Sequence, residues 1–407
     1  MDSLRFIREN LRWLMAGLLL TFASSFGQTF FISIFAGEIR AEFGLSHGAW
    51  GAIYMIGTLA SAIVMVWSGA LTDRFRVRVI GGITLFLLAA SCVAAALVSS
   101  LWLLPVVIFC LRLTGQGMSS HVATVAMARW FVAARGRALA VATLGFSIGE
   151  ALLPLTFVAL MGAIGWRASW VVCAAILLMI IPIIAVLLRQ ERTPQSNVTA
   201  NQSFGMGDRH WSRKDVLGHR LFWMILPALL GPPAFGTAFF FHQVHLAEVK
   251  GWSHLDLVAL FPVYTATAVI SMGLSGLAID RFGTSRLMPV YQIPLAAGFI
   301  AFSLSGTVAS AGFAIMGFGI TTGINATLSS AFWAEFYGTR HLGAIKAMAA
   351  SVMVLGSAIG PGLTGLVIDL GTNFNQQMVW VAAYLILSAA LTTLAIRQTR
   401  RASIASA

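Results

Sequence analysis

Apolar residues in this chain fall in long unbroken blocks, unlike the alternation of a half-buried strand or the single stripe of a surface helix. Residues 79–99 (VIGGITLFLLAASCVAAALVS) and 168–188 (ASWVVCAAILLMIIPIIAVLL) contain no charged side chain. At a rise of about 1.5 Å per residue, either block crosses a hydrocarbon layer of about 30 Å. The pattern predicts twelve such helices. Six lie at about 13–37, 48–72, 79–99, 101–128, 138–162 and 168–189, and six at about 220–247, 255–279, 287–308, 309–333, 344–369 and 376–396. Between the two sets, residues 190–219 are polar and contain Pro, Gly, Ser and Asn, the mark of a linker. The expected fold is an all-α membrane protein of two six-helix bundles, 1–189 and 220–407, joined by a cytoplasmic linker over 190–219.

Composition agrees with that pattern: of 407 residues, 58% are hydrophobic and 10% charged, too little charge to cover a soluble protein of this length. The formal net charge of +12 resembles a nucleic-acid binder's until its placement is examined. With the N-terminus placed in the cytoplasm, 22 of the 26 Lys and Arg fall in inner segments. Arg40, Arg167 and Lys250 fall outside, and Arg112 lies within the membrane. This asymmetry predicts both termini inside and explains the basic balance with no nucleic-acid partner. Trp13, Trp102, Trp130, Trp166, Trp170, Trp252 and Trp333 stand near predicted helix ends, where an indole favours the interface. The first block follows Arg5, Arg8 and Arg12 as in a signal peptide, but it is too long to be a cleaved one and is read as a retained helix. Cys92, Cys110 and Cys173 lie inside apolar blocks and suggest neither a disulfide framework nor a metal site. The sequons at Asn197 and Asn201 fall on the inner side, where no glycan is expected.

Two marks recur at nearly one offset. Gly69-Ala-Leu-Thr-Asp73-Arg74-Phe75 after the second helix matches Gly276-Leu-Ala-Ile-Asp280-Arg281-Phe282 after the eighth. Gly145-Phe-Ser-Ile-Gly149 in the fifth matches Gly356-Ser-Ala-Ile-Gly360 in the eleventh, followed by Pro361. The shared offset, close to half the chain, predicts two equivalent halves. The Gly-x-x-x-Gly pairs predict close helix packing, and Gly69 and Gly276 predict room for a neighbouring helix.

On these residues the chain resembles the major facilitator superfamily over almost its whole length. The family's loop signature between helices 2 and 3 is matched by Gly69, Asp73, Arg74, Arg76 and Arg78, with Ala60 and Arg76 where two glycines are usual. The second copy keeps Gly276, Asp280, Arg281, Gly283 and Arg286, with Thr267 at the first glycine position. The resemblance implies a latch in which Asp73 caps the start of helix 11 and Asp280 that of helix 5, closing the cytoplasmic side. The alternative is that these residues only set topology. In the family's drug exporters a Gly-Pro form of the helix 5 motif occurs. Here Glu150 stands where that proline would be.

Arg112 and Glu150 both fall near mid-membrane by residue count, where a charge costs about 2.5–3.5 kcal/mol on insertion scales. Three roles are open: a static pair, an anion bound by Arg112, and a proton exchanged by Glu150. His242 and His245 share one helical face near the outer side and read as a pH-sensitive gate or cavity lining, with too few ligands for a metal. His121 reads as interfacial. Gln28, Gln116, Tyr264, Gln292 and Asn325 are candidate cavity groups or interhelical hydrogen-bond partners.

The expected function is secondary transport of a small organic solute, an anion such as a carboxylate, by rocking of two halves, with protons as an optional coupling ion. No Gly-x-x-x-x-Gly-Lys-Ser/Thr segment provides for ATP, no compact nucleophile or metal constellation suggests an enzyme, and no cofactor is expected. The expected setting is a monomer in a bacterial inner membrane. The pattern distantly resembles the monocarboxylate and organic-anion porters. It departs from the animal monocarboxylate carriers in lacking an acidic–basic pair inside helix 8 and a lysine inside helix 1. The alternatives are an efflux pump for amphipathic drugs and a non-transporting receptor of the same fold.

Overall fold

A computed structural model describes residues 3–131, 134–190 and 204–405. Among them the structure is helical throughout, with no strand. Among the described residues, eleven helices are long and apolar enough to cross a membrane, and the pair Leu11–Gly27 and Thr29–Phe43, bent by 48°, makes twelve when counted as one span. In chain order, helix 1 is that pair, helix 2 is His47–Ser68, helix 3 Val77–Leu97, helix 4 Leu101–Trp130, helix 5 Arg135–Ile164 and helix 6 Trp166–Leu187. Helix 7 is Arg220–Phe241, helix 8 His254–Phe282, helix 9 Thr284–Leu304, helix 10 Val308–Tyr337, helix 11 Leu342–Asp369 and helix 12 Phe374–Arg400. The chain is an integral membrane protein.

Two compact units divide at Thr199 and Ala200. In the first, helix 1 packs on 5, helix 2 on 4, and helix 3 on 6; in the second, helix 7 packs on 11, helix 8 on 10, and helix 9 on 12 and 10. One arrangement thus occurs twice, six helices apart. Missing side chains set the closest contacts. A Cβ on Gly145 would fall on Leu18 O and Thr21 Oγ1, and one on Gly149 on Ser25 Oγ. In the second unit, Gly356 lies against Leu230 O, and Gly360 against the Ala234 backbone. Gly-x-x-x-Gly therefore lets helix 5 ride on helix 1, and helix 11 on helix 7, backbone against backbone.

Each bundle is preceded by a short docked helix. Ser3–Glu9 turns Phe6 edge-on to Phe131 at 5.5 Å, under the Arg137 guanidinium at 4.9 Å. Before helix 7, Arg213–Gly218 starts with a capping box between Ser212 and Asp215. Ahead of that helix, the buried Trp211 donates to Met206 O at 3.0 Å and meets Tyr337 edge-on at 5.1 Å. Residues 204–219, within the segment predicted to be a linker, are thus a docked part of the second unit, because Trp211 and Val216 need apolar cover. Residues 191–203 lie outside the described residues.

Cations cap equivalent helix ends. Arg167 donates to Ala96 O and Val98 O, both at 2.6 Å, at the end of helix 3, and pairs with Glu42. Lys250 donates to Ser303 O at 2.9 Å and Ser305 O at 2.8 Å at the end of helix 9. Each offsets the negative end of a helix dipole.

Candidate functional site

Helix 1 does not cross the first unit intact. Ser24 and Ser25 precede Gly27, and the Ser24 hydroxyl donates back to Thr21 O at 2.6 Å. Such local bonds compete with the helical ladder. The backbone tightens over Ser25–Gly27 and Gln28 is extended, with φ −87° and ψ 154°. The Phe31 and Ile32 amides both donate to Gln28 O, at 3.2 and 3.0 Å, and the Gly27 carbonyl is taken by a side chain instead. Broken backbone at membrane depth is tolerated where protein or a cavity satisfies its polar groups.

That side chain is Arg112. Its Nη1 donates to Gly27 O at 3.1 Å and to Thr29 Oγ1 at 3.3 Å, and its guanidinium lies 5.3 Å from the centre of the Tyr54 ring. Thr29 in turn shares a hydrogen bond with the Tyr54 hydroxyl. The residue is 1% exposed, and its Nε is buried with no partner. Helix 4 winds as a π-helix over Arg112–Ser119, an irregularity frequent at functional sites. Gly115 lets the break approach: a Cβ there would lie 2.6 Å from Gly27 Cα, and a Cβ on Gly27 would lie 2.7 Å from Gly115 Cα.

Glu150 is buried on helix 5, next to Gly149, whose missing Cβ makes room for Ser25. The Ser25 hydroxyl is itself buried with no hydrogen-bond partner. The direct Arg112–Glu150 pair suggested by their equal depth is not formed: the guanidinium's partners are one carbonyl, one hydroxyl and one ring. The physical reason is the break, which packs on helix 4 at Gly115 and on helix 5 at Gly149 and supplies freed backbone to the arginine. Arg112 and Gln28 therefore meet at one feature, the interruption of helix 1, while Glu150 is buried on helix 5 beside the glycine that packs on it.

The remaining candidates lie elsewhere. In the second unit, His242 Nε2–H donates to Pro361 O at 3.1 Å and lies 3.0 Å from Thr364 Oγ1, while His245 Nε2 accepts from the Phe374 amide at 3.3 Å. The two histidines thus turn to different partners, and among the described residues no three His, Cys, Asp or Glu are grouped to hold a metal. Tyr264 on helix 8 donates to Thr322 Oγ1 at 3.2 Å, and Asn325 is half-buried on helix 10. Gln292 is fully buried with neither side-chain polar atom bonded.

At the loop after helix 2, Thr72 Oγ1 donates to Gly69 O at 2.8 Å, and Arg129 Nη1 donates to Thr72 O at 2.8 Å. Arg74 is exposed, and the Asp73 side chain lies outside the described residues. In the second copy Asp280 and Arg281 are exposed. The close approach expected at Gly276 is absent: a Cβ there meets nothing within 4 Å. There Glu335 of helix 10 secures the loop, accepting from the Thr284 hydroxyl at 2.6 Å and its amide at 3.3 Å.

Gly27, Thr29, Tyr54 and Gly115 were not foreseen as a group. The signal for the break was Ser-Ser-Phe-Gly-Gln inside an apolar block; nothing in the sequence marked Tyr54.

A model described as the Major Facilitator Superfamily matches residues 17–361. The curated "Probable sulfoacetate transporter SauU" of Cupriavidus necator is 25% identical over 261 residues, which are 61% of this chain and 60% of the relative. The match thus spans three-fifths of that relative's length. Among solved structures, a bacterial homolog of the human lysosomal transporter Spinster, inward-facing and unoccupied, superposes with TM-score 0.74 at 16% identity, covering 96% of this chain and 98% of that one. The nucleoside transporter NupG gives 0.66 at 13% identity, covering 98% and 99%. At such identities these two likenesses show the fold.

Proposed function

Because this chain belongs to the major facilitator superfamily, we propose that it is a secondary transporter carrying a small organic anion across the membrane by alternating access, with Arg112 as the anion-binding group. The observation that carries this reading is a fully buried guanidinium with only neutral partners and an unsatisfied Nε, beside an interrupted helix. Burying a cation without an anion is costly, and an anionic cargo removes that cost for part of the cycle. A planar donor fork suits carboxylates and sulfonates alike, and the curated relative's name makes sulfonated carboxylates a class to try. Glu150, buried on helix 5, is the proton carrier in this reading. The basic-residue asymmetry supports termini on the cytoplasmic side; the membrane in this reading is a bacterial inner membrane and the working unit one chain.

Thermal-shift titration of the purified chain tests the proposal. Small carboxylates and sulfonates are expected to raise the melting temperature with concentration, neutral amides of the same shape to have no effect, and Arg112→Gln to abolish the response while melting cooperatively. Equal stabilisation of wild type and Arg112→Gln by the same anion would overturn it.

A further inference from the structure

The chain stays helical beyond Phe241, the last residue of helix 7. After a turn at His242, with φ −93° and ψ 22°, a separate helical segment runs over Gln243–Lys250, at the end of the second unit predicted to face outward. Two histidines tie the turn and the segment to their neighbours. His242 is buried and bonds Pro361 O and Thr364 Oγ1 of helix 11. His245 is only half-buried, and its Nε2 accepts the Phe374 amide at 3.3 Å. Phe374 is the first residue of helix 12. The opening N–H groups of a helix have no acceptor within it. Asn373 Oδ1 takes the Gln376 amide at 2.9 Å, and the Phe374 amide falls to His245.

A ring nitrogen accepts a hydrogen bond only while it carries no proton. The contact therefore requires a neutral His245 with its proton on Nδ1. Protonation turns Nε2 into a donor facing a donor, and sets a cation at the positive end of the helix 12 dipole. Both effects oppose the contact. We propose that His245 is a proton-sensitive clasp: neutral, it fastens Gln243–Lys250 to the start of helix 12, and protonated, it releases that segment. Acid on its side of the membrane then loosens this end of the second unit, whatever the cargo. The released state holds the extra proton, so fastening is complete above the ordinary histidine value of about 6.5 and is lost as pH falls below it. Few other ionisable groups surround His245. Its own segment carries Glu248, exposed, and Lys250, which donates to Ser303 O and Ser305 O. Helix 7 adds Arg220 at its far end and His242 at the turn. Helix 8 brings His254, 3.2 Å from Gln243 Oε1, and Asp256, which closes a capping box with Ser253. Asp369 ends helix 11 and is exposed, and helix 12 carries only Tyr384 before Arg397.

Two readouts on the purified full chain test the clasp, and neither needs cargo, so the result is separate from that of the Arg112 reading. Nitrogen-15 NMR of labelled histidines, with His245→Gln to assign the signals, reads the tautomer. His245 should carry its proton on Nδ1 at pH 7.5. Amide exchange over residues 372–378, corrected for intrinsic rates, should be roughly tenfold faster at pH 5.5 than at pH 7.5, the weight of one hydrogen bond and an adverse dipole. His245→Gln offers an acceptor that does not titrate, so exchange should be slow at both pH values. His245→Ala offers none and should exchange fast at both, while His242→Gln should keep the wild-type response. A proton on Nε2 of His245 at pH 7.5, equal exchange of wild type at the two pH values, or a pH response that survives in His245→Gln would overturn the proposal.

Discussion

Arg112 is held by groups that cannot neutralise it, so its neighbours matter through geometry. Thr29 links the guanidinium to the Tyr54 hydroxyl, and the ring lies 5.3 Å from the charge. Tyr54→Phe keeps the ring and removes the hydroxyl. It is expected to weaken anion binding several-fold with little change in fold, whereas Tyr54→Ala should also cost about 3–5 kcal/mol of stability as a buried aromatic truncation. Titration of both variants in the thermal-shift format separates the two effects, and an unchanged affinity in Tyr54→Phe would remove the tyrosine from the site. Gly27 makes a sharper case. Its Cβ would meet Gly115 Cα at 2.7 Å and also fall on Leu111 O, and neither backbone can rotate away. Gly27→Ala should therefore destabilise by about 1–3 kcal/mol, the usual range for overpacking, and should open the contact between the break and helix 4. A variant that melts like wild type would contradict the close approach.

Among the helices, the periodicity of the sequence left little doubt about the spans, because twelve apolar blocks bounded by cations and indoles admit few other readings. It also marked the helix 5 and helix 11 contacts, since Gly-x-x-x-Gly has a direct geometric meaning. The break in helix 1 was hidden: hydropathy registers how apolar a block is, and Ser25, Gly27 and Gln28 barely lower the average over that block. The Arg112–Glu150 pair, one of three roles the sequence left open, is not formed for a related reason. Residue counts give depth and leave azimuth open, and another helix can supply the partners. Gly276 fell outside the packing rule because its motif copy lies at a helix end with open space around it.

The docked segment before helix 7 was hidden by polar composition around one tryptophan. Burial of His219, with the Arg209 cation close by, lowers its pKa below the ordinary value near 6.5. A histidine held neutral in the docked state but free to protonate when released takes up more protons in the released state. Docking is therefore strongest above that ordinary value and weakens as pH falls through it. Amide exchange over residues 211–219 should be faster at pH 5.5 than at pH 7.5, after correction for intrinsic rates, and His219→Asn should flatten the difference. Equal protection at both pH values would show that His219 does not sense pH there. In the first unit, Arg167→Ala should cost about 1 kcal/mol by uncapping Ala96 O and Val98 O. Thermal melts in matched detergent would measure it.

For the whole molecule, duplication explains why so much of the design could be read twice. The two units repeat the same helix pairings, the same glycine contacts and the same cationic caps. They differ in composition: among the described residues, the Asp, Glu, Lys or Arg residues far from any helix end, Arg112 and Glu150, both belong to the first unit. With Arg112 as the proposed anion-binding group, that difference puts the proposed cargo chemistry in one half of a repeated frame. The orientation of the frame is open to reporter fusions, which should place residues 204–219 and the N-terminus on one face. The most direct test of the account is uptake of a labelled small carboxylate or sulfonate, chosen by thermal shift, into proteoliposomes under an inward pH gradient. Wild type should accumulate the anion, and Arg112→Gln, reconstituted to the same level, should accumulate none. Equal accumulation by the two proteins would contradict the central claim that this buried arginine receives the cargo.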